Sequence, residues 1–176
     1  AAICQVRVDD RLGWRRKHAT LLKQAYARHE FAGDMLQVAD MLGDAELERL
    51  ASLTIFILDR LRVRLGIATR TLRSSELGID GVRTDRLIAI LAQVGATEYV
   101  TPAGALEYLG ADDFLGRAPQ RLLVHGFHPP AYPQRGAASF FSHLSILDVV
   151  AHLGWQGAGR YIRPSFACVR DIQEQP

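Results

Sequence analysis

The sequence has 176 residues, 48% of them hydrophobic and 23% charged, and 21 Lys+Arg against 19 Asp+Glu leave a net charge of +2. A chain of this length buries roughly 70% of its unfolded surface and needs no disulfide or metal staple, and this composition excludes general disorder. The charge is too balanced for a dedicated polyanion binder, and two cysteines, Cys4 and Cys168, make neither a disulfide framework nor a four-ligand zinc site.

Residues 1–4 are a short apolar run ending at Gln5, which reads as a first buried strand; 6–8 alternate briefly and 9–13 read as a turn. Residues 14–26 switch to helical period, with Trp14, His18, Leu21, Leu22 and Ala25 on one face. A second helix is expected over 31–42, stopped at Gly43. Asp44 has the character of an N-cap for a long helix to Leu65, with Gly66 as its left-handed stop. Its stripe of Leu47, Leu50, Ala51, Leu58, Leu61 and Leu65, widened by Leu53 and Ile57, marks it as the structural spine.

Residues 67–72 alternate like a strand and end in Arg73-Ser74-Ser75-Glu76. Thr84 can cap a helix over 85–94, closed by Gly95. A strand at 97–101, a short helix at 103–109 closed by Gly110, and a strand at 122–124 follow. Ser145 to Asp148 fits a capping box before a helix ending at Gly154. Strands separated by helices predict an α/β fold: one domain over residues 1–176, with a mainly parallel, Rossmann-like sheet flanked by helices and a helix-rich half.

In such a sheet, ligands collect beyond the carboxyl ends of the strands. The polar candidates are therefore Gln5, Arg73-Ser74-Ser75-Glu76, Thr101 and the loop 125–134. Arg73 with Ser74 and Ser75 suits an anionic group, and equally a capped turn. Trp14-Arg15-Arg16-Lys17-His18 gathers three cations and an imidazole; His18 is either a general base or a buried core histidine. Thr84-Asp85-Arg86 reads first as a helix start with a local ion pair, and Asp148 first as the third residue of its capping box. Tyr132-Pro133-Gln134 is a restrained loop tip able to read a polar substrate. His125, His128, His143 and His152 match no metal-ligand spacing, and no P-loop, GxGxxG or nucleophile elbow is present, so no metal is expected.

The order of segments is more specific than any one of them. Trp14-x-x-Lys17-His18, Leu65-Gly66-Ile67-x-Thr69, Ser74-Ser75-Glu76-Leu77 and Thr84-Asp85-Arg86-Leu87-Ile88 come first. Gly95-Ala96-x-x-Tyr99, Tyr108-Leu109, Phe114, Tyr132-x-Gln134, Phe140 or Phe141, and Leu144 to Asp148 before Gly154 follow. From Trp14 to Trp155 the chain resembles the WbqC-like protein family. The N-terminus departs from the pattern: Gln5 runs straight into Val6-Arg7-Val8, and Gly13 into Trp14, where the family carries further strands and loops. The expectation is an ordered part of a longer chain, with loops missing near 5/6 and 13/14.

The resemblance implies a bacterial aminoacyltransferase that places an amino acid, notably glycine, on an amine of an amino sugar or aminoglycoside-like acceptor, in surface-polysaccharide or natural-product biosynthesis. A non-catalytic accessory protein of such a pathway is the alternative. Under the first reading His18 is the base and Lys17 offsets developing negative charge, as Arg86 could. Arg73, Ser74 and Ser75 hold the carboxyl or its phosphate leaving group, and Tyr132, Gln134 and Asp148 orient the acceptor. Gln5 joins the substrate-binding set. No cofactor is expected to bind tightly, and ATP and aminoacyl-tRNA both stand as donors, the latter giving tRNA as a partner. No membrane partner is expected: no apolar stretch approaches a span, no basic-then-apolar leader opens the sequence, and a cytoplasmic location with reduced thiols follows.

Overall fold

The computed structural model describes residues 3–43, 47–164 and 168–173; the expected cap at Asp44 and the start of the first run, Ala1 and Ala2, lie outside them. The chain forms two compact units, Ala1–Thr69 with Pro129–Ile162, and Arg70–His128 with Arg163–Pro176.

The first unit is helical: α1 (Trp14–Tyr26), α2 (Ala32–Met41), α3 (Leu50–Arg64) and α7 (Ile146–Ile162). Its core joins Met35 of α2 to Val149, Val150, Ala151 and Ala158 of α7, with Tyr132 from the preceding loop. Small residues on α7 let α2 approach closely, so the centre of this unit is α7. The long helix expected to be the spine is not: in α3 only Leu53 is buried, while Leu58 is 63% exposed. It begins at Leu50 and stops where expected, with Gly66 at φ 72° and Ile67 N–H donating back to Arg62 O at 2.9 Å.

Three further expectations in this unit are corrected. The described part of the apolar start is no strand: Ile3–Gln5 form a 3-10 turn, and 6–8 meet 48–50 through one isolated bridge, Arg7 to Arg49. Residues 67–72 run without a ladder, because the Arg62 guanidinium donates to Ile67 O (3.1 Å) and Thr69 O (3.3 Å), the acceptors a neighbouring strand would have used. α1 spans the expected residues but turns a different face inward. Arg15, Ala19, Leu22 and Tyr26 are its covered positions, Leu21 and His18 are exposed. Arg15 decides this: its guanidinium is buried because it donates to Leu42 O (3.0 Å) and Leu47 O (2.8 Å), a hydrogen-bond demand that hydrophobic period does not register.

The second unit carries a three-stranded sheet in the order β1 (Glu98–Pro102), β2 (Arg121–His125), β3 (Val169–Asp171). β1 and β2 are parallel, Val100 opposite Leu123; β2 and β3 are antiparallel, Val124 opposite Arg170. The α/β class therefore stands, with a small mixed sheet. α4 (Arg83–Gln93), α5 (Leu106–Ala111) and α6 (Phe114–Arg117) supply Leu91, Leu109 and Phe114 to a core with Leu122. Thr84 is not the cap expected of it: α4 begins one residue earlier, and the buried Thr84 hydroxyl donates to Asp112 Oδ2 at 2.7 Å. Gln5 and Arg73 consequently follow no strand, and the strand-end rule does not apply to them. Among the described residues no helix is long and apolar enough to cross a membrane.

Candidate functional site

A dense polar constellation in the first unit is built around Asp148, in the first turn of α7. Ser145 caps this turn, its hydroxyl oxygen accepting Leu147 N–H at 3.3 Å. The Asp148 carboxylate does not reach back to complete the box. It is 7% exposed and accepts Tyr132 O–H at Oδ2 (2.6 Å) and Tyr26 O–H at Oδ1 (3.1 Å), with Gln134 Nε2 3.4 Å from Oδ2. Among the described residues no lysine or arginine pairs with it; the sole ionisable nitrogen within reach is His152 Nδ1, at 3.4 Å. This buried carboxylate is thus held by neutral donors.

His152, one turn along α7, is fixed at both ring nitrogens. Nδ1 lies 2.8 Å from Asp148 O, an acceptor, so Nδ1 carries the proton; Nε2 then accepts Arg135 N–H at 2.8 Å. Gln134 is tied similarly, donating to Phe141 O (2.9 Å) and accepting Phe141 N–H (2.8 Å) as a second backbone would. Phe140 and Tyr161 meet the Tyr132 ring edge-on, each at 5.3 Å. The loop between Pro130 and Phe141 is strapped to α7 through these bonds.

Burial first, then the negative charge of Asp148, pushes the Tyr26 phenol up to about 12. Burial and the hydrogen bond to Asp148 raise Tyr132 well above the ordinary phenol value. Both phenols therefore remain donors at neutral pH. His29, edge-on to His152 at 4.5 Å, has its basicity lowered by burial and then by His152, and its buried Nδ1 has no hydrogen-bond partner. The folded-state value lies below the free value of 6.5, so this contribution to stability is present above pH 6.5 and lost as pH falls through the folded value. Thermal melts between neutral pH and pH 5 are expected to show Tm falling on acidification, and His29→Gln to flatten the curve. Equal slopes in the two proteins would refute the assignment. Tyr26, His152, Asp148 and Arg135 are the groups facing this ring.

Tyr132, Gln134 and Asp148, three of the residues expected to bind substrate, are thus brought together by direct contact. Lys17 and His18 are exposed on α1, His18 touching Trp14 edge-on at 5.2 Å. Tyr26 ends the same helix at the Asp148 cluster, which puts His18 about 12 Å back along the axis. Gln5 is exposed at the end of its 3-10 turn. In the second unit Arg73, Ser74 and Ser75 sit on the exposed turn Ser74–Glu76, and Arg73 pairs with Glu76 at 3.2 Å. Arg86 donates to Ser74 O (3.0 Å) and Ile79 O (2.5 Å), bracing that segment with the groups an anion would have needed.

Sequence reasoning missed Tyr26, His29, Arg135 and His152. One signal was available: Asp148 and His152 are four apart, the spacing that puts two side chains on one helical face. Among the described residues no three His, Cys, Asp or Glu side chains are grouped to hold a metal ion. In comparison with known proteins, the model of a family described as the WbqC-like protein family matches residues 1–159. No curated protein and no solved structure matches the chain.

Proposed function

Because the chain belongs to the WbqC-like protein family over residues 1–159, we propose that it is an aminoacyltransferase. In this reading it moves an activated aminoacyl group, glycyl first among them, onto an amine of an amino sugar or aminoglycoside-like acceptor in bacterial natural-product or surface-polysaccharide biosynthesis. The observation that carries the acceptor side is the Asp148 carboxylate, buried among neutral donors with no Lys or Arg partner among the described residues. An unneutralised buried charge favours a cationic ligand group, and an acceptor with several ammonium groups supplies one. Tyr132 and Gln134, bonded to that carboxylate, hold it in place.

The reaction needs one neutral amine nitrogen, which attacks the donor's carbonyl carbon. A C–N bond forms, the C–O bond to the donor's phosphate or ribose breaks, and the leaving oxygen takes the electron pair. The nitrogen loses a proton, which His18 accepts, while the Lys17 ammonium offsets charge growing on the carbonyl oxygen. With His18 about 12 Å from the end of α1, the reacting amine and the anchored ammonium are different groups of one extended acceptor. Monoamines are therefore poor substrates.

The test is intact-mass analysis of the purified chain with glycine and ATP, or with glycyl-tRNA, and an aminoglycoside acceptor. A gain of one glycyl unit on the acceptor is expected. His18→Ala is expected to lower kcat by about 10²-fold with little change in KM. Unchanged turnover removes His18 from the base role. Acceptor binding without product under every donor combination replaces the transferase reading with the accessory one.

A further inference from the structure

We infer that the outward face of α1 binds a phosphate group through Arg16, Lys17 and Thr20, and that this phosphate is carried by the activated aminoacyl donor. The identity of the carrier rests on the transferase reading; the phosphate site does not.

With Arg15, Ala19, Leu22 and Tyr26 turned inward, about 100° per residue puts Arg16, Lys17, Thr20 and Leu21 on one arc opposite them. All four are exposed, and together they border a shallow, open depression on the helix surface. Two cations and a hydroxyl thus share one exposed arc with one apolar side chain.

The charges around it are unevenly matched. Arg11 pairs with Asp9 (2.5 Å), Arg15 with Asp10 (3.5 Å) and Lys23 with Asp40 (3.5 Å). Arg16 and Lys17, in the same stretch, have no carboxylate within 4.0 Å among the described residues. Their position is also unfavourable: the first turn of a helix disfavours cations, yet α1 carries Arg15-Arg16-Lys17 directly after Trp14, has no acidic residue in that turn, and is capped by Gly13 without a side-chain bond. A bound anion reverses that repulsion.

Donor geometry selects the anion. A guanidinium fork engages two oxygens, the ammonium a third as a point charge, and the threonine hydroxyl adds another donor, which matches a tetrahedral oxyanion. Leu21, 61% exposed, offers an apolar contact for a ribose or base attached to it. Arg73, first expected to hold the donor, is committed to Glu76, and Arg86, expected to offset developing charge, to two carbonyls. Both forms of donor, an adenylate and an aminoacylated RNA, carry a phosphate beside an adenosine.

The experiment titrates AMP, and separately a short RNA hairpin ending in CCA, into the full chain, the double variant Arg16→Gln/Lys17→Gln, and Thr20→Val, at two salt concentrations. The wild type is expected to bind one or both probes. The double variant should bind at least tenfold more weakly, with the slope of log affinity against log salt reduced by roughly one to two. All three side chains are exposed, so melts should coincide; Thr20→Val alone, expected to weaken binding several-fold, keeps the test open if the double variant does not fold. AMP binding assigns a small adenylate, and binding of the hairpin alone assigns an RNA-borne donor. Failure of both probes to bind at millimolar concentration, or equal binding by variant and wild type, overturns the site. Phosphate binding without product sinks the transferase reading and leaves the site; product formed by the double variant at the wild-type rate under limiting donor does the reverse.

Discussion

Asp148→Ala is expected to cost the first unit about 3–5 kcal/mol and to lower its melting temperature by roughly 10 °C. Two phenols lose the acceptor they share: Tyr132 O–H, 2.6 Å from Oδ2 and on a buried ring, and Tyr26 O–H, 3.1 Å from Oδ1. Each buried donor left unsatisfied costs about 1–3 kcal/mol. Asp148→Asn separates structure from charge. It keeps the shape and one acceptor oxygen, so the stability loss should be about half, while KM for a polycationic acceptor rises by about 10- to 100-fold with the loss of a charge-assisted contact. The phenols provide a second readout. Tyr26 ionises at about 12 in the folded chain against 10.0 when free, so the stability from that pair is complete below pH 10 and disappears as pH rises through 12. In Asp148→Asn its titration should shift toward the free value. An alanine variant melting within about 2 °C of wild type would show the nest to be incidental.

Gly154→Ala is expected to be of similar severity, about 3–5 kcal/mol, for an unrelated reason. Gly154 interrupts α7 at φ 64°, ψ 176°, a region that L-residues with a Cβ hardly enter. A Cβ there would lie 2.8 Å from Phe31 Cδ1 and 3.0 Å from Cε1, so the ring would have to move as well. The break is built into the packing. Trp155 N–H, which an uninterrupted helix would aim at Ala151 O, lies 3.4 Å from Asp34 Oδ2, and Ala151 O accepts Phe31 N–H at 3.2 Å. α2 thereby caps both faces of the kink, and alanine, the best helix former, would pull the segment toward a straight helix without those bonds. Differential scanning calorimetry checks this, with Gly33→Ala in α2, where an added Cβ meets nothing within 4 Å, as comparison. A Gly154→Ala variant as stable as wild type would mean that the kink is not needed.

How much of this was legible in the sequence follows from the kind of force involved. Backbone punctuation is local, and it was readable: Gly66 and Gly95 stop their helices at φ 72° and 65°, and Ser145 caps α7. Gly154 also breaks its helix as read, although the chain resumes beyond it because Asp34, far away in sequence, supplies a cap. Where an arginine spends its hydrogen bonds is not local. Arg15 turned α1 by about one residue position, Arg62 stood in for a missing strand at 67–72, and Arg86 closed the turn that had read as an anion site. β3 escaped notice because three residues on an edge carry almost no periodic signal.

By itself, then, the order of residues determined the α/β class, most helix limits and the family, because spacing, caps and glycines act over a few neighbours. The tertiary structure alone decided which polar groups are spent on carbonyls and which charges are left without an opposite charge among the described residues: Asp148 has no Lys or Arg partner, and Arg16 and Lys17 have no carboxylate. A side chain's partner is chosen by proximity in space, and burial multiplies the cost of a wrong choice, so no reading along one dimension could have assigned it.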